Sequence, residues 1–217
     1  PACTAECEAA GVGPRMGTAG VPGAFSASYE VNTLKDLDGK KWRAGGKWPL
    51  KYLGNAGATP VSVPWGDTYV ALQTGTIDGV FTNYDGLHLM KFDEVAPNLL
   101  VSKELWFAVP FIHLMNKKKF DGLSAEEQQA LRDASAAAEQ QFGPIYDATF
   151  DEILKAQEAA GAKVSELSAE DVVAWENKDA LAKLRQQWVE EAKAAGLENA
   201  AEVMEQVSAI HAEAMSR

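Results

Sequence analysis

From Ser124 to Ala160 the sequence holds a helical apolar period over a stretch that, at 1.5 Å per residue, would build a rod about 55 Å long. A small domain is narrower than that, so such a helix must either run between two bodies or break. Gly143-Pro144 stands near its middle, where proline removes a backbone hydrogen bond and crowds the preceding turn; a kink or break is expected there. The start is marked by a capping box, Ser124 with Glu127 three residues on, and Gly161 supplies the stop. A long helix kinked midway can belong to two lobes at once. Beyond it come a short strand at 163–164 and a second capping box, Ser168 with Asp171. The remainder reads as two helices parted at Gly196, with Trp175 and Trp188 as core anchors.

Before Leu123 the pattern is different: Gly, Pro, Trp and β-branched residues are dispersed where Ala, Glu, Gln and Lys later dominate. Alternation is legible from Thr33 onward. A turn "LKDLDGK" leads to a strand through Lys41, Trp42 and Arg43, then a helix over 48–55 closed by Gly57. "TPVSVP" (59–64) is β-branched and bounded by prolines, hence a strand. "GDTYVALQTG" is a helix with Asp67 near its start and Gly75 at its end; "TIDGVF" is a strand, "NYDGLHLMKFDEV" a helix, and "NLLVSKELWFAVPFIHLMN" two strands or one bent at Pro110. Strands alternating with helices at this spacing predict βαβ units and an α/β fold.

The chain has 217 residues, 47% of them hydrophobic, enough to bury a sizeable core in one large or two small domains. Its formal net charge of -11 makes nucleic acid and anionic membrane surfaces poor partners, because phosphate binding needs clustered Lys and Arg. The one cationic run, "NKKKF" at 116–120, reads as a solvated turn before a helix. No apolar run approaches the roughly 20 residues of a membrane span, so no direct membrane insertion is expected. Cys3 and Cys7, four apart, suit neither a zinc quartet nor a redox CxxC; a local disulfide and two reduced thiols both remain open, as does the redox compartment.

Catalytic motifs are missing: there is no GxSxG elbow, HExxH, Walker loop or GxGxxG, and nothing calls for a cofactor or metal. His88, His113 and His211 are scattered and read as structural or exposed. Asp78, followed by Gly79, reads as turn chemistry rather than a catalytic acid. Binding accounts better for the residues that stand out. Arg43 ends a strand, where α/β folds face their ligand crevice, and its planar fork suits a carboxylate. Gly45 and Gly46 allow close approach, Trp65 after Pro64 can wall an apolar pocket, and Thr82, Asn83 and Tyr84 end the third strand and begin a helix whose free N–H groups favour an anion. Two readings from other classes stand beside this one: a small α/β enzyme using Asp78 or His88, and a helical interaction protein built on the Ala/Glu-rich second half.

Four segments in order, "DLDGKKWR" (36–43), "PVSVPWGDTYVALQTGTIDGV" (60–80), "KFDEV" (91–95) and "LMNKKKFDGLSAEEQQAL" (114–131), resemble the substrate-binding proteins of tripartite ATP-independent periplasmic (TRAP) transporters, dicarboxylate-binding type. The resemblance extends from about Thr18 to the C-terminus. It implies a periplasmic-binding-protein-like (type II) α/β fold with two lobes, a long kinked interlobe helix and a helical C-terminus, with most of the first lobe lying ahead of Pro1. Residues 20–107 and 148–217 would form the second lobe; 1–19 and 108–147 would belong to the first. The implied function is a periplasmic receptor, not an enzyme, that closes over a small organic acid and hands it to membrane permease subunits. In that family the arginine matching Arg43 pairs with the ligand carboxylate and the aromatic matching Trp65 packs on the ligand. An Asn often stands where this chain has Thr82, leaving Thr82 and Asn83 both as candidate hydrogen-bonding groups. A second basic residue of some members would fall near Gly23, which disfavours sialic-acid-type ligands.

Overall fold

The computed structural model describes residues 7–105, 110–175 and 177–215. Cys3 and the expected lobe boundary at 107/108 lie outside the described residues. Two sheets are present among these. β1 (Val12–Ala19) pairs antiparallel with β7 (Pro110–Asn116) and with nothing else. The other six strands form a mixed sheet in the order β4 (Thr59–Val61), β3 (Lys41–Ala44), β5 (Gly79–Asn83), β2 (Gly23–Ala27), β6 (Asn98–Val101) and β8 (Lys163–Glu166). β2 runs antiparallel to both neighbours, whereas β3 is parallel to β4 and β5, and β6 to β8.

Every residue of β2, β5 and β6 is buried, as expected for central strands covered on both faces. Side chains of successive residues point to opposite faces, so one strand feeds two cores. Val80 of β5 and Leu99 of β6 enter the core containing Leu72, Ile77, Phe92 and Phe150; Phe81 and Leu100 enter that of Phe25, Trp42, Leu53 and Leu167. The helices α1 (Lys47–Asn55), α2 (Thr68–Gln73) and α3 (Tyr84–Leu89) follow β3, β4 and β5, as the alternation predicts. Gly57 and Gly75 sit at φ +92° and +71° just past α1 and α2, the left-handed geometry that lets a helix stop on glycine.

Several expectations need correcting. β1 and β2 precede Thr33, ahead of the legible alternation. The strand over 59–64 ends at Val61, where pairing with β3 stops opposite Arg43; Ala44 pairs only with β5. The helix over 83–95 stops at Leu89: Lys91 turns left-handed at φ +55°, and only a short 3-10 turn, Phe92–Glu94, follows. The apolar stretch 98–116 is two strands in separate sheets. After the short α4 (Lys117–Asp121), α5 (Ala125–Ala159) runs unbroken through Pro144 for 35 residues. Its capping box forms as expected: Ser124 Oγ accepts from the Glu127 N–H at 3.2 Å, and Glu127 Oε2 accepts from the Ser124 N–H at 2.8 Å. The C-terminal region holds three helices rather than two, α6 (Ala169–Trp175), α7 (Lys178–Ala194) and α8 (Ala200–Met215), since Asn177 at φ +34° separates the first pair. Trp175 packs edge-on against Phe25 and Phe81 as the expected anchor, whereas Trp188 is half-buried outside both cores. Among the described residues no helix is long and apolar enough to cross a membrane.

Candidate functional site

β3 lies between β4 and β5, and the alternation that sends Trp42 into the core turns Arg43 to the opposite face. Arg43 is only 6% exposed. Its Nε donates to the Val63 carbonyl at 3.1 Å, and its guanidinium carbon lies 5.0 Å from the centre of the Trp65 ring. No carboxylate of the described residues comes within ion-pair distance of it. Burial draws its pKa down, yet a guanidinium starts so high that the charge stays. A desolvated cation without a counter-ion is therefore fixed at a strand end, costly until an anion arrives.

Trp65 follows Pro64 in a short 3-10 turn and meets Phe92 edge-on, ring centres 5.2 Å apart. It remains 37% exposed, so one face is free to pack. Thr82 and Asn83 close β5 and are 6% and 7% exposed; the Asn83 amide donates to the Val21 carbonyl at 3.3 Å. Arg43, Gly45, Trp65, Thr82 and Asn83 line one cavity of about 1050 Å³. Spacing alone did not reveal its other walls: Asp85, Gly86 and His88 of α3, Phe111 of β7 and Glu152 of α5. Phe111 comes from the other sheet, so no local signal could have assigned it. Gly86 carried a legible hint, being side-chain-free where an added Cβ would touch the Trp65 ring at 3.5 Å.

Two expected residues do not line this cavity. Tyr84 is fully buried against Phe150, ring centres 5.0 Å apart, and burial raises its hydroxyl pKa. Gly46 caps α1 at φ +88° on the exposed side of the turn. The free helix N-terminus expected after Asn83 is also occupied: α3 has six residues, and the backbone N–H groups of Asp85 and Gly86 face the Asp85 carboxylate. Asp78 performs turn chemistry, its Oδ2 accepting from the Lys41 N–H at 2.8 Å and its carbonyl taking the Ser28 N–H at 3.0 Å.

Asp85 is the unexpected group here. Burial raises its pKa and outweighs the neighbouring N–H groups of Gly86, Asp85 and Val21, which act the other way; its Oδ1 is buried without a hydrogen-bond partner. A carboxyl whose pKa rises on folding contributes stability that is whole below its unfolded pKa and lost as pH climbs through the folded value. Asp85→Asn should therefore raise the melting temperature relative to wild type at about pH 7 and lose that advantage near about pH 4. Thermal melts at both pH values check this, and an identical difference at the two would refute it.

Residues 23–192 match the sequence profile of bacterial extracellular solute-binding protein, family 7. The ectoine-binding periplasmic protein of Halomonas elongata is 34% identical over 149 residues, which cover 68% of this chain and 41% of that relative. The C4-dicarboxylate-binding periplasmic protein of Rhodobacter capsulatus is 31% identical over 156 residues, covering 70% and 46%. A TRAP periplasmic solute-binding protein from Rhodoferax ferrireducens, solved with bound malonate, superposes with a TM-score of 0.82 at 23% identity over 98% of this chain and 66% of that one. The fold is thus that of TRAP periplasmic binding proteins, and the chain spans less than half the length of the curated relatives it matches.

Proposed function

The chain belongs to bacterial extracellular solute-binding protein family 7, and from that premise we propose that it is part of a periplasmic receptor that captures a small organic acid for a TRAP-type membrane permease. One observation carries this reading: a buried guanidinium, Arg43, with no acidic partner among the described residues, beside a half-exposed indole on the wall of a cavity about 1050 Å³ in volume. Arg43 takes the ligand carboxylate in its fork, Trp65 packs on the ligand body, and Thr82 with Gly45 shapes the floor. Relatives that bind ectoine and C4-dicarboxylates support a small carboxylate as the ligand class. Asp78, the acid of the competing enzyme reading, has its carboxylate engaged by backbone.

On the same reading residues 20–107 and 148–217 make one lobe, and 1–19 with 108–147 contribute to the other. The separate β1–β7 sheet supports this division, as does the exposure of Ile112 and Leu114, at 47% and 51%, on one face of β7, which a larger lobe would cover. Titration of the complete protein with ectoine, succinate and malonate tests the assignment. Saturable binding of at least one is expected, with a change in tryptophan emission that disappears in Trp65→Phe. If none of the three binds, the receptor reading for small carboxylates fails.

A further inference from the structure

Residues 20–22 lead from β1 into β2, and the described residues 102–105 follow β6. Residues 20–22 are held by the end of β5 and the first turn of α3, where the Asp85 carboxylate faces the Val21 N–H. The Asn83 amide donates to the Val21 carbonyl at 3.3 Å, and the Tyr84 N–H donates to the Pro22 carbonyl at 3.1 Å. The Gly23 N–H then donates to the carbonyl of Leu105 at 2.6 Å, tying the two segments together. Gly20 fits only because it lacks a side chain, since an added Cβ would overlap the Asn83 amide and come within 3.1 Å of its Cβ. The same Asn83 lines the ligand cavity, to which Phe111 of β7 also contributes.

We propose that Asn83 is a positioning residue that couples the ligand cavity to the crossing between the two sheets. This rests on the receptor reading above. For a receptor that closes, apparent affinity contains the free energy of setting the hinge as well as that of the contacts. Asn83, buried between the two, lets a filled cavity and a fixed crossing stabilise each other, and linkage makes that coupling reciprocal. Thr82 lines the cavity without reaching the crossing, so of these two neighbours only Asn83 carries the coupling.

Amide hydrogen exchange on the complete protein, alone and with ectoine or succinate, tests it in wild type, Asn83→Ala, Gly20→Ala and the double variant. Without ligand, Asn83→Ala should speed exchange at the Gly23 and Tyr84 amides by about tenfold, the mark of a local opening made easier. Gly20→Ala should do the same, and should add much less once Asn83 is alanine, because the amide it overlaps is gone and only the 3.1 Å approach to Cβ remains. With a probe that wild type binds, protection of the Gly23 amide should be lost in Asn83→Ala, and Kd should rise by about tenfold, chiefly through faster release. Wild-type exchange in ligand-free Asn83→Ala overturns the proposal whether or not any probe binds. So does a raised Kd with probe-induced protection retained, which makes Asn83 an ordinary contact. Failure of the receptor reading is seen separately, as wild type binding neither probe while the ligand-free arm still reads the hold of Asn83 on residues 20–23. If Asn83→Ala does not fold, Asn83→Ser gives the same readout.

Discussion

Arg43→Ala should weaken carboxylate binding by about 30-fold to about 4000-fold, which corresponds to the roughly 2 to 5 kcal/mol lost when one partner of a desolvated, hydrogen-bonded charge pair is removed. The size of the effect follows from the ligand-free state. The guanidinium is 6% exposed, meets no carboxylate of the described residues, and is held in place by the Val63 carbonyl and the Trp65 ring. Much of its dehydration thus precedes ligand binding, so the arriving anion meets a cation already partly stripped of water. Arg43→Lys keeps a charge but loses the planar fork, so its Kd should fall between wild type and alanine. Removing the side chain leaves the Val63 carbonyl without that donor, a loss of about 1 kcal/mol, and also removes a buried unpaired charge. The two effects oppose, so the ligand-free melting temperature should move little. Calorimetric titration of all three proteins decides it: an unchanged Kd in a folded Arg43→Ala would take Arg43 out of the site.

What could be read in advance depended on how local the determinants were. β3, α1 and β5 were legible because each carries its own punctuation: the Asp38-Gly39 turn, Gly57, and the Asp78-Gly79 pair. Arg43 followed from its place near the end of β3 and Trp65 from its place after Pro64, and the Arg43 guanidinium carbon lies 5.0 Å from the centre of the Trp65 ring. β2 was not legible. Its five residues, Gly-Ala-Phe-Ser-Ala, show no alternation, and they become a strand by pairing with β5 and β6, more than fifty residues further on. Asn83 illustrates the same limit within the site. Adjacent Thr82 and Asn83 looked equivalent, and only the return of residues 20–22 past the end of β5 gives the amide its partner. Tyr84 misled for a similar reason: α3 turns it into the core formed with Phe150 of α5, an element that starts forty residues later.

The glycine of that Asp78-Gly79 pair should prove as consequential for stability as Arg43 is for binding. Gly79 pairs with Trp42 across β5 and β3, and a Cβ added to it would lie 2.5–2.8 Å from three atoms of the Trp42 ring. That ring is fully buried and cannot retreat, being edge-on to Phe25 at 5.4 Å and to Tyr29 at 6.3 Å. Gly79→Ala should therefore overpack the core at a cost of about 1 to 3 kcal/mol, lowering the melting temperature by about 2–4 °C for each kcal/mol. The damage should not stay in the core. Relief requires β3 to slide or tilt against β5, and Arg43 follows Trp42 directly on β3, so ligand affinity should fall with stability even though Gly79 does not line the cavity. Trp42→Leu removes the ring atoms that the new methyl meets, so in that background Gly79→Ala should cost much less than it does alone. Melting curves and titrations on the two single variants and the double one separate the possibilities. A Gly79→Ala protein as stable as wild type would mean that the β3–β5 contact is looser than its geometry implies; a stability loss without any change in Kd would mean that Arg43 is held by Val63 and Trp65 rather than by its strand.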